Sequence, residues 1–183
     1  MQLLTFAASN SQESINRALV RYVEARLLAL TGDDLTIDHI DINHYEMPIY
    51  SIDRELTSGI PDAAQRLFDA IGNADAIMVS FAEHNGTVTA AWKNIYDWMS
   101  RIDSRVWQDK PIAMLSATPG PRAGQGVLSY QTSLVPHAGG NMIASVGVGR
   151  WGQAYDARSQ QLTDSASLAA IDALVGSLHA ALS

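Results

Sequence analysis

Ala76-Ile77-Met78-Val79-Ser80-Phe81 is an uncharged run with neither a helical nor an alternating period. A run this short and this continuously apolar reads as a strand buried on both faces, and such strands belong to parallel sheets covered by helices. The flanks agree. The polar turn Glu83-His84-Asn85-Gly86-Thr87 follows, and then Ala91, Trp92, Ile95, Trp98, Met99 and Ile102 recur at helical spacing. Outward from this unit the pattern repeats. Leu3–Ala8, Leu35–Ile42, Pro111–Leu115 and Met142–Val148 read as four more strands, with Leu35–Ile42 at an edge. Helical periods follow through Ile15–Leu30, from Pro61 to Ile71, over Val127–Val135 and over Leu168–Leu182. Asn43–Gly59 reads as irregular. Strands alternating with helices imply an α/β fold: one domain over 1–183, a three-layer sandwich with helices on both faces of a five-stranded parallel sheet.

Composition sets further limits. The chain has 183 residues, 47% apolar and 17% charged, which is globular composition and enough to build one core. No uninterrupted apolar run reaches the roughly 18 residues of a membrane span, and the start has no basic region of a signal peptide, so neither membrane nor export is expected. There is no cysteine, which excludes disulfides, thiolate metal sites and cysteine nucleophiles and suits a cytoplasmic location. The net charge of −7 and scattered basic residues speak against a nucleic-acid partner.

In an open doubly wound sheet, ligands bind beyond the carboxyl ends of the strands. With five strands, the order 2-1-3-4-5 brings the loops leaving strands one, three and four to one crevice. Those loops are Ser9–Asn16, Ala82–Val88 and Ala117–Gln125, all rich in Ser, Thr, Asn, Gly or Pro. The first offers hydroxyls and amides at a helix start, where free N–H groups favour an anion such as phosphate; plain capping by Ser11 or Ser14 is the ordinary alternative. In the second, Asn85-Gly86 permits a sharp turn that presents backbone to a flat ring with His84 beside it; a solvated turn is the alternative. The third is either a close-approach loop at Gly120 and Gly124 or a simple connector. Neither G-x-G-x-x-G nor G-x-x-x-x-G-K-[ST] occurs, which disfavours a dinucleotide fold and a P-loop. A phosphate gripped without lysine or metal suits a monophosphate such as FMN.

Together these segments resemble the NAD(P)H-dependent FMN reductase family of flavodoxin-like proteins, which includes quinone, azo-dye and chromate reductases. The family's G-S-x-R-x-x-S-x-N is met by Ala8-Ser9-Asn10-Ser11-Gln12-Glu13-Ser14-Ile15-Asn16, with Ser11 in place of the arginine. Its P-E-Y-N-G-S and K-N-x-x-D-W are met by Ala82-Glu83-His84-Asn85-Gly86-Thr87 and Lys93-Asn94-Ile95-Tyr96-Asp97-Trp98, with His84 for tyrosine. Its K-P-x-x-x-x-S-x-x-P-G-G aligns with Lys110-Pro111 through Ser116, Pro119, Gly120 and Pro121, and its L-P-x-Y with Met47-Pro48-Ile49-Tyr50. The resemblance covers about residues 2 to 150 and implies that Ser9, Ser14 and Asn16 hold the FMN phosphate, with Ser11 and Ile15 also in the cofactor site. By the same resemblance Ala82, Glu83, His84, Asn85 and Gly86 face the ring, and Ser116, Thr118, Pro119 and Gly120 complete the site.

The expected function is that of an oxidoreductase with FMN as cofactor and NADPH or NADH as co-substrate, passing electrons to a quinone-like small molecule. A flavodoxin-type carrier and a flavin-free binding module on the same fold are the alternatives. Hydride transfer needs no side-chain acid or base, so no catalytic residue is assigned. The histidines are too scattered to suggest a metal set. The resemblance implies a homo-dimer or homo-tetramer. Trp92 and Trp98 lie six apart on one helix, so one is expected in the core and the other at an interface. Trp151 is expected to overhang the crevice.

Overall fold

The computed structural model describes residues 1–183. Five parallel strands form the sheet in the order β2-β1-β3-β4-β5: β1 is Gln2–Ala8, β2 Thr36–Asp41, β3 Ala76–Phe81, β4 Pro111–Ala117 and β5 Asn141–Val148. The register pairs Phe6 with Val79 and Ile77 with Ile112, so the apolar runs read in the sequence lie side by side. Side chains alternate across the pleat. Leu4, Phe6, Ile77, Val79, Phe81, Ile112 and Met114 feed one core, while Leu3, Ala76, Met78, Ala113 and Leu115 feed the other.

The first core is covered by α3 (Asp62–Asn73), α4 (Ala90–Ile102) and α5 (Gln125–Leu134), and the second by α1 (Ile15–Thr31) and α7 (Ser165–Leu182). The apolar composition and length of α7 would suffice to cross a membrane. In the fold it is a packing helix: Ile171, Leu174, Val175, Leu178 and Leu182 are buried against the sheet side, and Asp172 pairs with Arg26 of α1.

Three details depart from the sequence reading. Asn43–Gly59 is not irregular throughout: a 3-10 turn spans Ile42–Tyr45 and a short helix, α2, spans Ile52–Ser58. Ser51 caps that helix through Arg54 N–H, and Gly59 ends it at φ 74°, signals easy to miss in a helix too short to show a period. Trp92 and Trp98 are both core residues, each 1% exposed. Trp92 packs on Phe6, Phe81 and Trp107. Trp98 faces elsewhere but lies under the 47–50 segment, donating its indole N–H to the Pro48 carbonyl at 2.7 Å and meeting Tyr50 edge-on. After β5 the chain forms a one-turn helix, α6 (Trp151–Ala154), and a two-stranded hairpin, β6 (Tyr155–Asp156) with β7 (Gln161–Leu162).

Candidate functional site

The loops leaving β1, β3 and β4 meet over the junction of β1 and β3, where the order in which successive strands are added to the sheet reverses. They enclose a cleft of about 440 Å³. Every predicted site residue lines it except Ser116.

The first loop ends in the N-terminus of α1. Ser14 is the cap, its hydroxyl accepting from Arg17 N–H at 3.3 Å, and the Ser9 hydroxyl accepts from Ser11 N–H at 3.4 Å. The backbone N–H groups of Gln12, Glu13, Ile15 and Asn16 meet no acceptor in the chain. These are the donors that a helix start leaves free, backed by the positive end of the helix dipole. The Asn16 side chain is largely committed to the fold. Its Oδ1 accepts from Ser80 Oγ at 2.7 Å and Ala117 N–H at 2.8 Å, and its Nδ2 donates to the Ala117 carbonyl at 3.1 Å. One buried carboxamide therefore locks the ends of β3 and β4 to the phosphate-type loop, with a single Nδ2 hydrogen left over.

In the second loop His84 and Thr87 exchange backbone hydrogen bonds of 2.9 and 3.1 Å. Between them Asn85 and Gly86 sit at φ 53° and 80°, the signature of a type I′ turn. The turn holds the exposed His84 at the cleft rim. Glu83 turns toward the start of α5: a Cβ added to Gly126 would come within 2.6 Å of its Oε1. The helix terminus is a favourable place for that carboxylate. Thr89 caps α4 through Trp92 N–H and donates to the Ala8 carbonyl, tying this loop to the end of β1.

The third loop is pinned from β5. Thr118 N–H donates to the Val148 carbonyl at 3.0 Å, Trp151 N–H to the Thr118 carbonyl at 3.1 Å, and Arg150 N–H to the Gly120 carbonyl at 2.9 Å. Ser116 is fully buried beneath it, donating to the Phe81 carbonyl at 2.8 Å. It closes against Gly124, where a Cβ would stand 2.0 Å from its Oγ, so the family-type serine is a strut under the cleft and not part of its wall. Trp151 does not overhang the cleft. It is buried and stacks on Tyr155 at 4.3 Å, beside an adjoining groove of about 1300 Å³ between α1 and the β6–β7 hairpin, which shares Glu13, Ser14 and Ile15 with the cleft.

With this geometry in view, comparison with known proteins is direct. Residues 1–153 match the family model of NADPH-dependent FMN reductase. The chain belongs to that family. It is 35% identical over 91 residues to an NADPH:quinone oxidoreductase of Arabidopsis thaliana, covering 50% of this chain and 45% of that protein. It is 32% identical over 116 residues to a quinone reductase of Pseudomonas putida, covering 63% and 59%. The matched stretch thus spans about half the length of these curated relatives. Among solved structures, FerB, a flavoenzyme NAD(P)H:(acceptor) oxidoreductase from Paracoccus denitrificans, superposes with a TM-score of 0.73 at 24% identity, over 99% of this chain and 94% of that one.

The family match ends at Gln153, close to where the motif resemblance gives out. Glu13, Ala117, Pro121 and Arg122 also line the cleft, within the expected loops but not among the residues the sequence assigned to the site. Ala117 and Pro121 carry no side-chain signal, being placed by their neighbours. Arg122 was visible as the one cation of the third loop, and it makes no ion pair or hydrogen bond with any other side chain.

Proposed function

We propose that this chain binds FMN in the three-loop cleft and works as an NAD(P)H-dependent oxidoreductase that reduces a quinone-like small molecule. The observation that carries the reading is the convergence of free amides and hydroxyls of the first loop with the backbone of the second and third loops in one cleft. The donor set fits a phosphate monoester: backbone N–H of Gln12, Glu13, Ile15 and Asn16, and the hydroxyls of Ser9, Ser11 and Ser14, with no metal-ligating cluster nearby. The turn at His84–Gly86 and the Thr118–Gly120 segment offer backbone to the edge of a flat ring. When bound, FMN supplies the redox chemistry, accepting hydride from a nicotinamide and releasing electrons to the acceptor. The protein's own part is to fix the phosphate, to hold the ring between the second and third loops, and to leave the His84 side open to small molecules.

The same reading makes the protein a cytoplasmic homo-dimer or homo-tetramer. Support comes from Ile49, Ile52 and Leu56 of the 47–58 segment, large apolar side chains that are 68%, 52% and 79% exposed. Trp98, buried under Pro48, is not available for an interface.

The visible spectrum tests the cofactor, and anaerobic mixing tests the reaction. Purified protein, incubated with FMN and desalted, should retain flavin absorbance, lose it rapidly on adding NADPH or NADH, and regain it with benzoquinone. Protein that takes up no FMN would overturn the reading in favour of a flavin-free binding module. Bound flavin that nicotinamides bleach only slowly would point to an electron carrier.

A further inference from the structure

The first loop carries no cation of its own. Ser9–Ser14 contains one charged side chain, and it is the carboxylate of Glu13. The cation that does touch the loop comes from α1. Arg17 folds back along its helix, donating from Nη1 to the Gln12 carbonyl and from Nη2 to the Ser11 carbonyl, both at 3.4 Å. Its Nη2 also pairs with Asp41 Oδ2 at the end of β2, at 3.2 Å.

These contacts fix more than charge. Every peptide here is trans, so each C=O points opposite to the N–H of the same peptide unit. Drawing the Ser11 and Gln12 carbonyls toward Arg17 turns the N–H groups of Gln12 and Glu13 the other way, and these are two of the amides without an acceptor in the chain. Asp41 holds the guanidinium in place. Burial pushes the Asp41 carboxyl up, but the Asn43 backbone and side-chain N–H groups and the charges of Arg17 and His44 outweigh this and hold it below the usual aspartate range. It is therefore ionised at neutral pH and remains a partner for Arg17.

We infer that Arg17 is the positioning residue of the phosphate seat, bracing the Ser11 and Gln12 carbonyls so that the loop amides face a bound phosphate. This rests on the reading of the cleft as an FMN site. It predicts a specific asymmetry, because riboflavin has the ring of FMN but no phosphate.

The experiment titrates flavin-stripped protein with FMN and, separately, with riboflavin, following quenching of flavin fluorescence. Arg17→Met should weaken FMN binding about tenfold or more, the scale of one lost charge-assisted contact, and leave riboflavin binding within about twofold. Arg17→Lys should restore only part of the loss, since an ammonium cannot serve two carbonyls and a carboxylate as a planar fork does. Equal weakening of both flavins, or unchanged FMN binding, would overturn the inference while leaving the FMN site intact. If the unsubstituted protein binds neither flavin, the site reading fails and the inference with it. Should Arg17→Met not fold, Arg17→Gln keeps a donor on a shorter stem and reads the same FMN-to-riboflavin ratio.

Discussion

Asn16 shows what a motif residue does beyond its motif. The sequence places it at the end of a phosphate-type loop, and its position there needs no structure to find. Its partners lie 64 and 101 residues away, on Ser80 and Ala117, and nothing local announces them. Ser116 is similar: the motif located it, but only the packing against Gly124 shows that it supports the cleft from below. Replacing Asn16 with alanine strips partners from a buried hydroxyl, a buried N–H and a carbonyl at once. Each unpaired buried group costs about 1–3 kcal/mol, so Asn16→Ala should destabilise the fold by roughly 2–5 kcal/mol in urea unfolding. Serine at Glu13, an exposed position, should change stability by less than about 0.5 kcal/mol. If Asn16→Ala is equally mild, the carboxamide is not the clamp described.

At the scale of elements, the strands were legible because each is a short apolar run, and the long helices because each shows a period. The element that escaped, α2, is 7 residues long with no buried residue. A helix of that length does not persist alone in water, so local caps and contacts must hold it. Ser51 and Gly59 cap it, and Glu55 is held by Arg101 and Tyr50, both at 3.0 Å. Ile52 and Leu56, four apart on this helix and both exposed, then form an apolar face that gains by being covered. If that face seals a dimer, Leu56→Asp should raise the dimer dissociation constant at least about tenfold, since burying a leucine is worth roughly 1.5–3 kcal/mol. Sedimentation across a dilution series reads this directly. A parent protein that is already monomeric at all concentrations, or a variant that dimerises as tightly, would remove this face from the interface. The two tryptophans of α4 teach the complementary lesson: their spacing suggested one core and one interfacial ring, but both join the same core, because the 47–50 segment covers the second.

For the molecule as a whole, the α/β class followed from the alternation of elements, and the expected order 2-1-3-4-5, which the sheet has, placed the crevice. The 151–163 segment did not follow in this way, because a one-turn helix and a pair of two-residue strands leave no period to read. Nor did the sequence reveal the polar joint between layers. Glu24 of α1 is buried, accepts from the Thr5 hydroxyl of β1, meets His39 Nδ1 of β2 at 2.7 Å and pairs with Arg21 at 3.0 Å. Burial raises its carboxyl pKa, but the hydrogen bonds from His39 and Thr5 and the charges of His39 and Arg21 prevail and hold it below the usual glutamate range. A carboxyl depressed in the folded state contributes stability that is complete above its unfolded pKa and is lost as pH falls through the folded one. Unfolding free energy should therefore decline as the solution is acidified through the carboxylate range, about pH 5 downward. Glu24→Gln removes the titrating group. It should lower stability at neutral pH by about 1–3 kcal/mol, because the Thr5 hydroxyl and His39 Nδ1 lose a charged hydrogen-bond partner at a buried position, and it should flatten the acid decline. Urea unfolding of both proteins over that pH range distinguishes the cases: profiles that fall in parallel would mean that acid acts elsewhere, and a shallower variant profile would place part of the acid sensitivity in this joint between α1 and the first two strands.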